Sequence, residues 1–193
     1  MGQRGCGKSY LGRNIQTCWP RRIIIDTLGE YSDQDGTVVF TFDEFSDFLT
    51  QRKSDGSDFV LIYQFDPESQ LSDLEFDEIV RVAFYFGNCQ LVIEEIQEHS
   101  TPHSMPHWLK KALLTGRHQN LSLLFTSQRP GEINKTIISQ CSHIFVGKIV
   151  EGNDLKYIAY FLGDKAQELT TLPDRVFLYR DRSGSVTKVS NDF

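Results

Sequence analysis

Eight residues at the head of the chain constrain its fold more than any other feature. Gly2-Gln3-Arg4-Gly5-Cys6-Gly7-Lys8-Ser9 is a full match to G-x-x-x-x-G-K-[ST], the loop that cradles phosphates. Such a loop belongs at a strand-to-helix crossing. Its glycines let successive main-chain N–H groups curl toward an anion, and the helix that follows adds positive potential at its first turn. All eight residues, Gly2 to Ser9, are expected to line a nucleotide site, with Lys8 reaching the β- and γ-phosphates and Ser9 holding Mg²⁺. The strand that normally feeds the loop has no counterpart here, because only Met1 stands in front of Gly2. Losing it from the middle of a sheet leaves backbone groups unpaired. The expectation is therefore that the numbering starts at an internal Met of a longer chain or that the sequence was trimmed; failing that, another segment must fill the gap.

The remainder reads as alternating strands and helices. Ser9 to Thr17 suits the helix after the loop. Ile23-Ile24-Ile25 is a wholly apolar β-branched run, as in a strand buried on both faces, followed by a second strand at Val38-Val39-Phe40. Phe42, Phe45, Phe48 and Leu49 fall at helical spacing, then "KSDGSD" reads as a surface loop and "FVLIYQF" as a strand. Ser72 is placed to cap a helix through Ile79, Val80 and Ala83, and "CQLVIEE" is a buried strand ending in two carboxylates. Pro106 opens a helix that stops at Gly116, "LSLLFTSQ" is another buried strand, "INKTIISQ" is helical and "HIFVGKI" is a strand. Asn153 or Asp154 caps "LKYIAYFLG", and "RVFLYRDRSGSVTKV" is a hairpin turning at Ser183-Gly184. With 193 residues, 39% of them hydrophobic, this is one α/β domain over residues 1–193, built on a largely parallel sheet with a C-terminal β-hairpin.

Two acids close the apolar run "LVIEEI". Glu94 is placed to contact Mg²⁺, directly or through water, and Glu95 to orient or deprotonate an attacking water. Neighbours on a strand face opposite ways, so the two must do different jobs unless the strand has already ended. A solvated acidic strand end running on to Glu98 is the plainer alternative. Gln128 follows the strand "LSLLFTS" at its carboxyl end, where ligands bind in open α/β sheets, and is a candidate γ-phosphate sensor. Arg117 is either a surface residue or a finger that projects into a neighbouring subunit's site and stabilises the transferring phosphoryl group.

Net charge is −6, yet it is unevenly spread. Residues 26–98 carry 18 acidic and 3 basic side chains, whereas residues 99–150 carry 6 basic and one acidic. A polyanion can be held by the second segment, or its lysines and arginines merely solvate helices. The acid-free "HSTPHSMPHWLKK" suits a pore loop, with Lys110 and Lys111 contacting phosphates without reading bases. His99, His103 and His107 recur every four residues, but Pro102 and Pro106 break the helix that would align them on a metal, so no metal site is expected of them. Four cysteines without a C-x-x-C pair, no apolar run near the roughly 20 residues of a bilayer span and no signal-peptide layout give the expectation of a soluble, cytoplasmic, reduced chain.

"GQRGCGKS", "IIIDTLGEYS", "LVIEEI" and "GRHQNLSLLFTSQRP", in that order, resemble the HerA/FtsK superfamily of P-loop DNA-translocating ATPases. The match extends past "FVGKIVEGNDLKYI", and its most specific parts are D-x-x-G-E-Y at Asp26 to Tyr31 and G-R-H…Q-R-P at Gly116 to Pro130. The resemblance implies a RecA-like P-loop NTPase core, a homo-oligomeric ring (pentamer or hexamer) with ATP and Mg²⁺ at subunit interfaces, and threading of double-stranded DNA. By position, Glu95 looks like the catalytic acid, Gln128 like the sensor and Arg117 like the trans-acting finger, with Arg129 a second candidate for that finger. The family usually has Asp where this chain has Glu94, one methylene longer.

A bare core of this length resembles the genome-packaging ATPases of tailless icosahedral viruses with an internal membrane. That implies packaging of a viral genome in the host cytoplasm, association with the virion, and a capsid-vertex or membrane-protein partner. The alternative is an assembly factor, comparable to the secretion ATPases of filamentous phages, that spends ATP on moving protein; the lack of a C-terminal membrane anchor counts against it. Nothing in the sequence resembles the lid or acceptor pocket of a kinase.

Overall fold

Apolar strands joined by helices pair in parallel and bury both faces, and the carboxyl ends of such strands set out the site. In a computed structural model, which describes residues 1–65 and 72–190, five strands follow this rule: β1 (Arg21–Ile25), β2 (Thr37–Val39), β3 (Phe59–Tyr63), β4 (Cys89–Ile93) and β5 (Leu121–Phe125). Their order is β2-β3-β1-β4-β5, parallel throughout. Ile25 pairs with Ile93 and Ile93 with Phe125, so Asp26, Glu94 and Thr126 leave the sheet at one level.

Helices α1 (Lys8–Gln16), α2 (Phe42–Asp55), α3 (Ser72–Phe86), α4 (His107–Thr115), α5 (Lys135–Gln140) and α6 (Gly152–Leu162) surround the strands. Phe45 and Leu49 of α2 and Phe76, Ile79, Val80 and Ala83 of α3 pack with Ile23, Leu61 and Leu91 in one core cluster. Thr41 and Glu44 form a capping box at the start of α2. That helix takes in Lys53–Asp55 of the expected surface loop, because the residue that stops it is Gly56, left-handed at φ 70°. The cap expected of the Ser72 side chain lies outside the described residues. Asp154 does not cap α6, which begins at Gly152 after Glu151; its Oδ1 instead accepts the Gly131 N–H at 2.8 Å. Among the described residues no helix is long and apolar enough to cross a membrane, and all four cysteines are free thiols.

A second sheet, β6 (Ile144–Val146), β7 (Val176–Arg180) and β8 (Val186–Ser190), is antiparallel and contains the expected hairpin. Between its β6 edge and the β5 edge of the first sheet runs a cavity of about 890 Å³, floored and roofed by apolar residues such as Leu11 and Ile15 of α1 and Ile137 of α5. The main chain of residues 1 and 2 bridges its end: Met1 N donates to Phe145 O at 2.7 Å, Gly147 N to Met1 O at 2.9 Å, and Gly2 N to Ser127 O at 3.2 Å. The cleft at that point is one strand wide, and the rung to β6 is of the parallel kind. β5 is accordingly not the buried strand expected from its sequence: only Leu121 is buried, and Ser122 to Phe125 are half-buried along the cavity wall.

Candidate active site

The phosphate-loop motif leads directly into α1, whose N-cap is Gly7 at φ 89°. The backbone conformation favours glycine, and a Cβ there would stand 3.1 Å from Arg175 Cγ, so that side chain would have to shift. No side chain caps this helix, and the first intrahelical bond is Leu11 N to Gly7 O. The amides of Lys8 and Ser9 precede it in the first turn, where an anion site draws its donors. Gln3 N is anchored on Lys148 O, and Arg175 N on Cys6 O at 3.0 Å. Arg175 is itself left-handed at φ 62°, a position that no short-range pattern marks.

β4 has ended at Ile93 when the two acids are reached, which resolves how adjacent carboxylates divide their work. Glu95 adopts φ 49°, ψ 56°, a left-handed conformation that costs a non-glycine residue about 1–3 kcal/mol. This swing aims its side chain at the phosphate loop. Lys8 Nζ lies 3.6 Å from Glu95 Oε1, Gln128 Nε2 donates to the same oxygen at 3.0 Å, and the Gln128 and Gln97 nitrogens donate to Oε2 at 2.9 and 2.8 Å. Burial by itself raises the pKa of Glu95, but the hydrogen bonds from Gln97 and Gln128 and the charge of Lys8 outweigh it and hold the carboxyl below its usual range. Glu95 is therefore ionised at neutral pH, as a base must be. Thr126 Oγ1 accepts the Glu95 N–H at 3.1 Å and fixes the turn.

Glu94 enters a buried corner beside Tyr31, whose hydroxyl donates to Oε1 at 2.8 Å. Burial, opposed by the Tyr31 hydrogen bond and reinforced by the charges of Asp26, Glu30 and Glu95, pushes Glu94 up to about 7. A buried carboxyl with Asp26, Glu30 and Glu95 close enough to act on it fits a hard cation, and Mg²⁺ needs only one or two carboxylates when phosphates complete its shell. The extra methylene of Glu94 carries its carboxylate to a tyrosine partner, a contact that sequence spacing does not reveal.

The arginines separate. Arg129, next to Gln128, is held by Asp154 (3.3 Å) and Glu132 (3.2 Å). Arg117 is exposed in a 3-10 turn at the opposite, amino end of β5. The five-residue strand puts roughly 17 Å of rise between it and the site of its own chain. Lys110 is exposed on α4, while Lys111 lies 4.2 Å above the Trp108 ring and so spends its charge on an aromatic face.

No family model matches the chain. A probable helicase of Methanocaldococcus jannaschii is 32% identical over 85 residues, 42% of this chain and 16% of that protein, so the match spans about a sixth of the curated relative. Among solved structures, the genome packaging NTPase B204 of Sulfolobus turreted icosahedral virus 2 in complex with sulfate superposes with a TM-score of 0.78 at 22% identity, covering 100% of this chain and 94% of that one. The same protein in complex with ATP-gammaS gives 0.76 at 24% identity over 97% and 92%. At these identities the likeness establishes the fold, which is that of the RecA-like P-loop NTPases.

Proposed function

We propose that this chain is an ATP-hydrolysing motor subunit that moves double-stranded DNA, in the role of packaging a viral genome. The observation that carries the reading is the convergence of Lys8 and Gln128 on the ionised Glu95 at the mouth of the phosphate loop. The fold match to a protein described as a genome packaging NTPase supports the packaging role.

The geometry suggests how hydrolysis is kept in step with binding. Both oxygens of Glu95 are engaged, by Lys8, by Gln128 through side chain and main chain, and by Gln97. A triphosphate entering the loop offers Lys8 and the Gln128 amide a more highly charged acceptor. Their transfer to the phosphate leaves Glu95 held by Gln97 and opens its Oε1 to take a proton from a water placed in line with the γ-phosphorus. Ser9 and Glu94 would hold Mg²⁺, which when bound neutralises charge on the β- and γ-phosphates.

Arg117 supplies the positive charge that the site of its own chain does not obtain from it, by reaching into the neighbouring subunit of a ring. The exposed basic residues of 99–150 meet DNA phosphates without reading sequence. The test is the ATP hydrolysis rate with and without long double-stranded DNA at low and moderate salt, with Glu95→Gln as the blank. DNA stimulation that fades with salt and is lost in the variant supports the motor; a rate indifferent to DNA supports the assembly factor instead.

A further inference from the structure

The D-x-x-G-E-Y segment has no part in the hydrolysis scheme above, although it lies against it. Asp26 is 1% exposed, and its carboxylate is consumed in shaping its own loop. Oδ1 accepts the Glu30 N–H at 3.0 Å, and Oδ2 accepts the Tyr31 N–H at 3.0 Å and Gln64 Nε2 at 2.8 Å. Gln64 Nε2 also reaches Tyr31 O at 2.9 Å, and Gly29 at φ 68° permits the tight return. The product of this folding is a fixed placement of two side chains.

Both of those side chains act on Glu94. Thr27 Oγ1 donates to the Glu94 carbonyl at 2.8 Å, and Tyr31 Oη donates to its carboxylate at 2.8 Å. Tyr31 is held in turn by α1, the helix of the phosphate loop: Gln16 Nε2 donates to Tyr31 Oη at 3.0 Å, and the Arg13 guanidinium lies 4.4 Å from the centre of its ring. A tyrosine that merely needed a buried acceptor would not require the same loop to fix the main chain of that acceptor as well.

We infer that residues 26–31 are a clamp on the metal carboxylate, with Tyr31 the positioning residue that fixes the rotamer of Glu94 against the helix carrying Lys8 and Ser9. The inference rests on the proposed role of Glu94 in holding Mg²⁺. Because the clamp spans α1 and β4, it sets the carboxylate relative to the phosphate loop before any nucleotide arrives, which lowers the cost of ordering the site on binding.

The test measures Mn²⁺ affinity by electron paramagnetic resonance, in the presence of a non-hydrolysable ATP analogue, for the full chain and for Tyr31→Phe, Glu94→Gln, Glu94→Asp and the Tyr31→Phe/Glu94→Asp pair. Tyr31→Phe is expected to weaken Mn²⁺ binding about 10- to 100-fold, the usual effect of removing a ligand's orienting partner. Analogue affinity in EDTA should stay unchanged. Aspartate is too short to keep the phenol contact, so Tyr31→Phe should add less than twofold in the Glu94→Asp background, a non-additivity that a general loss of folding would not produce. Mn²⁺ affinity unmoved by Tyr31→Phe but lost in Glu94→Gln overturns the clamp and leaves the metal role of Glu94 standing. Affinity unmoved by Glu94→Gln overturns both.

Discussion

The left-handed backbone of Glu95 sets the chemistry at the scale of single residues. Without that turn its carboxylate would follow the strand alternation and point away from Lys8; with it, the side chain meets Lys8 and Gln128. Glu95→Gln should retain nucleotide affinity and lose hydrolysis by about 10²- to 10⁴-fold, checked by single-turnover kinetics beside equilibrium binding. Glu94 predicts a trade-off between function and stability. Burial pushes its carboxyl up to about 7 in the folded chain from an ordinary 4.5, so the folded state holds the extra proton, and stability falls as pH rises from about 4.5 to about 7. Glu94→Gln escapes this and should be more stable than the parent at pH 8 without nucleotide, by up to about 3 kcal/mol, with the advantage shrinking toward pH 5. Equal urea midpoints at pH 8 would contradict the assignment of a buried charge to Glu94.

Elements meet at two joints that carry further predictions. His99 follows the 3-10 turn after Glu95, stacks on Phe76 of α3 with centroids 4.1 Å apart, and shares a hydrogen bond with Thr27 Oγ1 at 3.0 Å. Burial drives its pKa down to about 4 despite the nearby Asp73. A base whose folded pKa lies below its unfolded one is favoured neutral. Its stabilising contribution is complete above about 6.5 and is lost as pH falls toward 4, up to about 3 kcal/mol in all. His99→Gln should flatten that acid limb in unfolding curves taken from pH 7 to 4; an unchanged limb would count against a neutral buried imidazole. The other joint is the cleft between β5 and β6, which has the width and hydrogen-bonding polarity of one parallel strand. A run of about five β-branched residues joined ahead of Met1 is expected to enter it and raise Tm by about 10 °C, whereas the same run interrupted by proline should not. No difference between the two would show that the cleft does not accept a strand.

For the whole molecule, the decisive placement is that of Arg117, a strand's length from the site of its own chain. If it acts in a neighbour, Arg117→Ala and Glu95→Gln subunits, each inactive alone, should regain part of the hydrolysis rate when mixed, because the second supplies an arginine to sites of the first. Mixtures as inactive as their components would remove the finger assignment. How much of this was legible beforehand divides along physical lines. Local signals were sufficient for the phosphate loop, the strand–helix alternation and the terminal hairpin, because glycine freedom, β-branched runs and capping chemistry act within a few residues. They also marked Glu94, Glu95 and Gln128 by their place at strand ends. The half-buried state of β5, the tie of Asp154 to Gly131, the clamp of Tyr31 on Glu94 and the seating of Arg175 on the phosphate loop all join residues distant in sequence. The sequence alone thus determined the fold class and the chemical inventory, since both are written in short-range patterns. Which carboxylate faces the lysine and which faces the tyrosine was decided only by tertiary structure, because one backbone turn held by long-range hydrogen bonds orients each of them.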